Sequence, residues 1–342
     1  MRVLSIGAGA IGTYIGGSLA LQGHEVVFVE RPEIAAELKS RGLHLTLADG
    51  DHHLPEPQVL PSMEAALSLG DFDIALFALK SYDTPAFIES LSTLNSPLPS
   101  ILCLSNGVAN ELALEAALGS EKVITGTVTT AVGRRAAGDI ICERLRGVGV
   151  AAGHPLSERL VAALDGAGLN AQLFPKADDM KWSKMLTNLI SNATSAILDL
   201  PPAKIFADPR LYRIEIEQLR ETLGVMRAQN IGVVDLPGTP VRLLAFAVRY
   251  LPLVISRPLL QKAAGGGRGA KMPSFHIDLH SGRGKSEVDY LNGAVVRAGE
   301  EVGVATPVNR LLTETLLQLT RGEIPLEAFA HQPERLLALL KN

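Results

Sequence analysis

Val3-Leu4-Ser5-Ile6-Gly7-Ala8-Gly9-Ala10-Ile11-Gly12 opens the chain with a short apolar run that passes directly into a Gly-x-Gly-x-x-Gly loop. Beyond the loop, residues 11–21 carry apolar side chains at helical spacing and residues 25–30 are rich in valine, so the segment reads strand, helix, strand. A glycine loop in that position is what a dinucleotide-binding fold requires. Gly7 permits the tight turn, Gly9 lets the backbone approach a pyrophosphate, Gly12 allows helix and strand to pack closely, and the helix N-terminus attracts the anion. Gly7, Ala8, Gly9, Ala10, Ile11 and Gly12 are therefore candidate cofactor-binding residues, although a flavin would use the same loop.

The second strand ends in Glu30-Arg31, and the two residues point to different cofactors. An acid there binds the ribose hydroxyls of NAD, whereas an arginine pairs with the 2′-phosphate of NADP. NADP (as NADPH), held by Arg31, is the expected cofactor, and Glu30 keeps NAD open.

Working outward, the alternation continues. Residues 34–41 read as helix, 43–47 as extended, 73–79 as a buried strand, 85–91 as helix and 101–104 as a strand, the rhythm of a parallel sheet with helices on its faces. Short strands at 125–132, 139–142 and 147–151, before a helix from Leu156, are expected to form the far edge of the same sheet. After Pro175 long segments of helical period dominate. The expected fold is an α/β Rossmann-type dinucleotide-binding domain, residues 1–175, followed by an all-α domain, residues 176–342. Gly265-Gly266-Gly267-Arg268-Gly269 predicts a mobile loop.

Composition excludes several classes of protein. The chain has 342 residues, enough for two domains, and its 47% hydrophobic and 20% charged residues are those of a globular protein. A net charge of −4 with no basic run argues against a nucleic-acid partner. Cys103 and Cys142 form no CxxC pair and read as packing residues in a reducing compartment. The N-terminus lacks the long apolar segment of a signal peptide, and a cytoplasmic location is expected. The apolar stretch 243–255, interrupted by Arg249 and Pro252, is short of the roughly 20 residues of a membrane span and reads as a buried helix. Apolar helices in the C-terminal half suggest a homodimer.

Lys184, Asn188 and Asn192 are spaced four apart, so they share one face of a helix that Trp182, Met185, Leu186, Leu189 and Ile190 mark as largely buried. Buried amides need hydrogen-bond partners, which a bound polar substrate would supply. Spacing alone equally allows an exposed Lys184 with asparagines bridging to neighbouring backbone.

With loop and helix both in view, the chain resembles the ketopantoate reductase family, whose members reduce 2-dehydropantoate to pantoate with NADPH on the way to pantothenate. The matching pieces are Gly7 to Gly12, the turn Lys80-Ser81-Tyr82-Asp83, Asn106-Gly107, Lys184 with Asn188 and Asn192, Ser274, and Glu287 within Ser286-Glu287-Val288-Asp289-Tyr290-Leu291-Asn292-Gly293. They occur in the family's order along nearly the whole chain. The resemblance implies that Lys80 and Asn106 lie beside the cofactor and that Asn106, Asn188, Asn192 and Ser274 hold a small 2-oxo acid. It further implies that Glu287 completes the catalytic site and that Lys184 is the acid. An ammonium suits that role, because negative charge develops on the carbonyl oxygen as hydride arrives. The chain departs from the family's pattern at Glu30, at Leu198-Asp199-Leu200-Pro201-Pro202, where some members carry a further substrate-binding asparagine, and in a long segment 241–271.

His52-His53 and the pair His276 and His280 are the remaining ligand-type clusters, and with no third ligand at a telling spacing no metal site is expected. Arg134-Arg135 and Arg283 with Lys285 read as solvated basic pairs, although Arg283 and Lys285, which precede Glu287, stay open as contacts for an acidic substrate or a cofactor phosphate.

Overall fold

A computed structural model describes residues 1–92, 94, 96–268 and 271–340, with residues 262–268 defined by their backbone alone. The chain forms two compact units, Met1–Lys181 with Leu236–Thr239, and Trp182–Asp235 with Pro240–Asn342.

The first unit is built on strands β1 (Arg2–Ile6), β2 (Glu25–Val29), β3 (Leu43–Leu47), β4 (Gly50–Leu54), β5 (Gln58–Leu60), β6 (Ile74–Phe77), β7 (Ile101–Cys103), β8 (Val123–Val128), β9 (Ala131–Ala136), β10 (Asp139–Arg144), β11 (Val148–Ala151) and β12 (Ala171–Phe174). Eight of them form one sheet in the order β12-β11-β8-β7-β6-β1-β2-β5, parallel from β8 to β5. Only β11 runs against its neighbour β8. Side chains alternate across the sheet: Val3, Phe28, Ile74, Leu76 and Leu102 enter one core, whereas Leu4, Ile6, Val27, Phe77 and Cys103 enter the other. Burial on both faces explains why these strands read as continuous apolar runs rather than alternating ones.

β9 and β10 do not extend this sheet, contrary to the expectation from sequence. They join β3 and β4 in a separate four-stranded sheet of order β4-β3-β10-β9. The cause is the helix Ala10–Leu21, which packs on both sheets at once. A side chain at Gly17 would lie 2.6 Å from Leu45 of β3, and Ile140 of β10 is fully buried in the same core as Val3 and Phe28. Residues 131–144 thus bury their apolar face on the outer side of that helix. His52 and His53 lie in strand β4, where His53 stacks on His44 at 4.2 Å.

Every element among the described residues of the second unit is helical, as the sequence predicts. Its centre is the helix Pro209–Ala228, whose polar residues tie down the starts of its neighbours. Glu221 accepts from the backbone N–H of Val308 (2.8 Å) and Asn309 (2.9 Å), in the first turn of the helix Pro307–Thr320, where unpaired donors and the helix dipole favour a carboxylate. Gln218 Oε1 accepts from Asn292, the first residue of the helix Asn292–Val302 (3.0 Å).

Two apolar segments differ from their reading. The stretch 243–255 is divided between the helices Val241–Tyr250 and Leu253–Arg268, interrupted at Pro252, and is not buried: Phe246 is 51% exposed, Tyr250 68% and Val254 85%. Only Val241, Ala245, Ala247 and Val248 of the first helix face inward. The helix Leu253–Arg268 also runs on through Gly265, Gly266 and Gly267, where a mobile loop is predicted; Gly269 lies outside the described residues. Extending an existing helix fixes one residue per hydrogen bond, so three glycines at about 1 kcal/mol each weaken it without ending it.

Glu215 is fully buried with no cation beside it among the described residues, and burial raises its carboxyl from 4.5 to about 7 against the pull of hydrogen bonds from Thr194, Ser191 and Gln218. The folded chain therefore holds this proton more tightly than the unfolded chain, and the resulting stability is present below pH 4.5 and lost as pH rises through about 7. Relative to Glu215→Gln, which cannot titrate, the wild type should lose up to about 3 kcal/mol of unfolding free energy across that window in chemical denaturation. A pH-independent difference would show that Glu215 ionises normally.

Candidate active site

The order of the parallel strands reverses at β1, with β2 on one side and β6 on the other, and the loops after β1, β2, β6 and β7 emerge at the carboxyl edge of the sheet. This switch point is where open α/β sheets bind ligands. Gly7 adopts φ +96°, which a side chain would strain, and its N–H donates to Val29 O at 3.0 Å. A β-carbon at Gly12 would lie 1.9 Å from the Gly7 carbonyl oxygen, so the helix can start against the turn only if residue 12 is glycine. Nothing lies within 4 Å of a β-carbon built on Gly9, which leaves that backbone open to a ligand. The helix Ala10–Leu21 has neither a side-chain cap nor an acid in its first turn, so its N-terminal dipole is available to a phosphate. These features fit a dinucleotide pyrophosphate.

Glu30 turns back on this loop. Its Oε1 accepts from Ala8 N at 2.8 Å and its Oε2 from Arg31 N at 3.2 Å. The exposed Arg31 guanidinium has no partner among the described residues.

The loops after β6 and β7 are tied together through backbone carbonyls. Ser81 Oγ (2.8 Å) and Asn110 Nδ2 (2.6 Å) both donate to Asn106 O, Ser105 Oγ donates to Leu79 O (2.8 Å), and Thr84 Oγ1 donates to Asn110 Oδ1 (2.8 Å). Lys80 and Asn106 thereby sit on adjoining loops of fixed geometry. The sequence reading missed Asn110, whose amide is the centre of this network.

In the second unit, Lys184 and Asn188 lie half-buried on the helix Ala177–Leu189. Asn192 does not continue that helix, as its spacing suggested, but begins another, Asn192–Leu198. The break is at Ser191, in left-handed backbone (φ 52°, ψ 16°), where Glu215 takes the Ser191 N–H (2.7 Å) and the Thr194 hydroxyl (2.5 Å). A buried acceptor for those donors is absent from any local pattern, which is why spacing could not show the break. Asn192 finds its partners within the protein: Nδ2 donates to Asn188 O (3.1 Å) and Ser274 Oγ (3.2 Å), and Oδ1 accepts from Phe275 N (3.0 Å). Asn192 and Ser274 are thus brought together across 82 residues of sequence. Glu287 opens a short 3-10 turn, Glu287–Tyr290, and is 1% exposed.

Models of two domain families, described as ketopantoate reductase PanE/ApbA and its C-terminal domain, match residues 3–151 and 176–320. The chain belongs to the ketopantoate reductase family of oxidoreductases. A 2-dehydropantoate 2-reductase of Archaeoglobus fulgidus is 28% identical over 325 residues, spanning 94% of this chain and 97% of that protein. A ketopantoate reductase of the PanE/ApbA family from Ralstonia eutropha JMP134 superposes with a TM-score of 0.79 at 25% identity, covering 94% and 99% of the two chains. D-mandelate dehydrogenase, solved with NADH and anilino(oxo)acetate, shares the fold at 22% identity and a TM-score of 0.76, over 94% and 99%.

The chain carries one further ionic feature that no motif announced. Lys181 Nζ lies 2.8 Å from Glu111 Oε1, with side chains only 5% and 8% exposed, and donates to Ser105 O at 2.7 Å. The ammonium thus holds the loop residue adjacent to Asn106. Removing one member of a buried ion pair strands the other, at a cost of about 3–5 kcal/mol. Lys181→Met should lose that much in equilibrium unfolding, and Lys181→Met with Glu111→Leu should recover most of it; equal losses in both would mean that the pair is not what matters at this position.

Proposed function

We propose that the chain is an NADPH-dependent reductase of a 2-oxo acid, with 2-dehydropantoate as substrate and pantoate, a precursor of pantothenate, as product. The observation that carries this reading is the Asn192–Ser274 pair, two residues the family resemblance marks as substrate-binding and which the fold brings into hydrogen-bond contact. The curated relatives named 2-dehydropantoate 2-reductase support the choice of substrate. In this reading residues 1–175 carry the cofactor and residues 176–342 supply the substrate-holding and acid groups. The exposed apolar side chains of residues 243–259 are taken as the face of a homodimer.

Gly7, Ala8, Gly9, Ala10, Ile11 and Gly12 would hold the pyrophosphate, with Lys80 and Asn106 beside the cofactor. Arg31 would pair with the 2′-phosphate, and Glu30, engaged with Ala8 N and Arg31 N, would be turned from it. When bound, the cofactor supplies hydride to the carbonyl carbon. Asn106, Asn188, Asn192 and Ser274 orient the oxo acid. Lys184 as ammonium stabilises the charge developing on the carbonyl oxygen and then protonates it. The buried Glu287 would complete the catalytic site.

Nicotinamide absorbance with NADPH or NADH and a panel of 2-oxo acids is the direct test. Rapid NADPH oxidation with 2-dehydropantoate is expected, and silence across the panel despite cofactor binding would overturn the reading. Lys184→Ala should lower turnover by about 100-fold or more with cofactor affinity nearly intact, and near-normal turnover would remove Lys184 from the acid role. Arg31→Ala should raise the KM for NADPH by roughly tenfold, the effect of one lost charge-assisted contact, while leaving that for NADH unchanged. A parallel rise for both cofactors would show that Arg31 does not read the 2′-phosphate.

A further inference from the structure

The spacing of His276 and His280 offers two imidazoles and no third ligand, yet the fold supplies one from a distant part of the chain. Asp199 ends the helix Asn192–Leu198 in left-handed backbone (φ 49°, ψ 45°), and its Oδ1 lies 2.7 Å from His276 Nε2. The His276 and His280 ring centroids lie 4.1 Å apart, the rings tilted by 39°. One ligand atom from each of Asp199, His276 and His280 falls within 4.8 Å of the other two, the one such convergence of histidine, cysteine or carboxylate groups among the described residues. On the far side, His331 Nε2 lies 3.6 Å from Asp199 Oδ2.

We propose that Asp199, His276 and His280 form a binding site for a divalent transition ion of the Zn²⁺ class, separate from the dinucleotide and oxo-acid groups. Two imidazole nitrogens and a carboxylate oxygen are borderline ligands, suited to Zn²⁺, Co²⁺ or Ni²⁺ and not to Mg²⁺, which prefers an all-oxygen shell. Around a tetrahedral ion with bonds of about 2.0–2.2 Å, ligand atoms stand roughly 3.3–3.5 Å apart. The His276–Asp199 contact therefore opens slightly and His280 swings in, changes within reach of side-chain rotation because His280 is exposed. A neutral His276 would offer the ion a ring nitrogen lone pair, with its N–H on the other nitrogen. His331 accounts for the second oxygen of Asp199, the outer-shell contact that orients a ligating carboxylate. The fourth position is left to water.

The ion would join the end of the helix Ser274–Leu279 to the end of the helix Asn192–Leu198. Those two helices begin with Ser274 and Asn192, so the ion would steady the substrate-holding pair from about 10 Å away, seven residues of helical rise. The site itself rests on its own geometry, and its test does not depend on the reductase reading.

Tag-free chain, stripped with a chelator, is titrated with ZnCl2 in a calorimeter and with CoCl2 by visible absorption. One equivalent should bind, with d–d bands of a low-coordinate cobalt centre and with a rise in the thermal midpoint; MgCl2 should give none of these. His280→Ala alters an exposed side chain and should keep the metal-free midpoint while weakening Zn²⁺ at least tenfold, Asp199→Asn should weaken it comparably, and His331→Ala less. Absence of binding, or wild-type affinity in His280→Ala, would overturn the proposal.

Discussion

The carbonyl oxygen of Gly7 occupies the space in which a side chain at residue 12 would begin, and much of the first unit follows from that contact. It seats the helix Ala10–Leu21 against the turn, with its N-terminus open and its flank on β1 and β2. The other flank, close enough at Gly17 to touch Leu45, becomes the floor for the second sheet. Protein interiors are packed as densely as organic crystals, so a helix displaced by one carbon would disturb both sheets together. The open helix N-terminus and the layering of the unit thus share one steric cause.

The helical unit is governed differently. Apolar burial is non-directional and specifies only that helices pack. Where they start and stop is decided by polar side chains on the helix Pro209–Ala228. Glu221 receives the first turn of one helix, Gln218 the first residue of another, and Glu215 the break at Ser191. Because that break lies between Asn188 and Asn192, a fully buried carboxyl far from the motif in sequence sets the angle at which the motif's last amide meets Ser274.

The parallel sheet and the glycine loop were legible because both are local: a strand buried on two faces, a turn requiring glycine and a helix follow one another within 20 residues. The second sheet was not, since nothing in 131–144 says whether its apolar residues face the first sheet or the outside of a helix. The polar stripe of Lys184, Asn188 and Asn192 was visible, but its interruption depends on Glu215. The Lys181–Glu111 pair and the Asp199 carboxylate beside His276 were equally invisible, each joining groups 70 or more residues apart. The exposed face of residues 243–259 shows the converse limit, because hydropathy reports how apolar a helix is and not whether anything covers it.

The first unit is closed by a later part of the chain. Leu236–Thr239 returns to it, and there Pro237 O accepts from the buried Thr129 hydroxyl (2.9 Å) while Gly238 packs on Arg146. During synthesis, therefore, the nucleotide-binding fold is unfinished when Lys181 has been made. At about 5–20 residues per second the ribosome needs roughly 3–12 s more to reach Thr239. Through that interval Thr129 and the 146–147 backbone wait for their cover while the long helix Pro209–Ala228 is already being produced. Vectorial folding of this chain must close its first domain after starting its second, and no single cut in the gene separates the two.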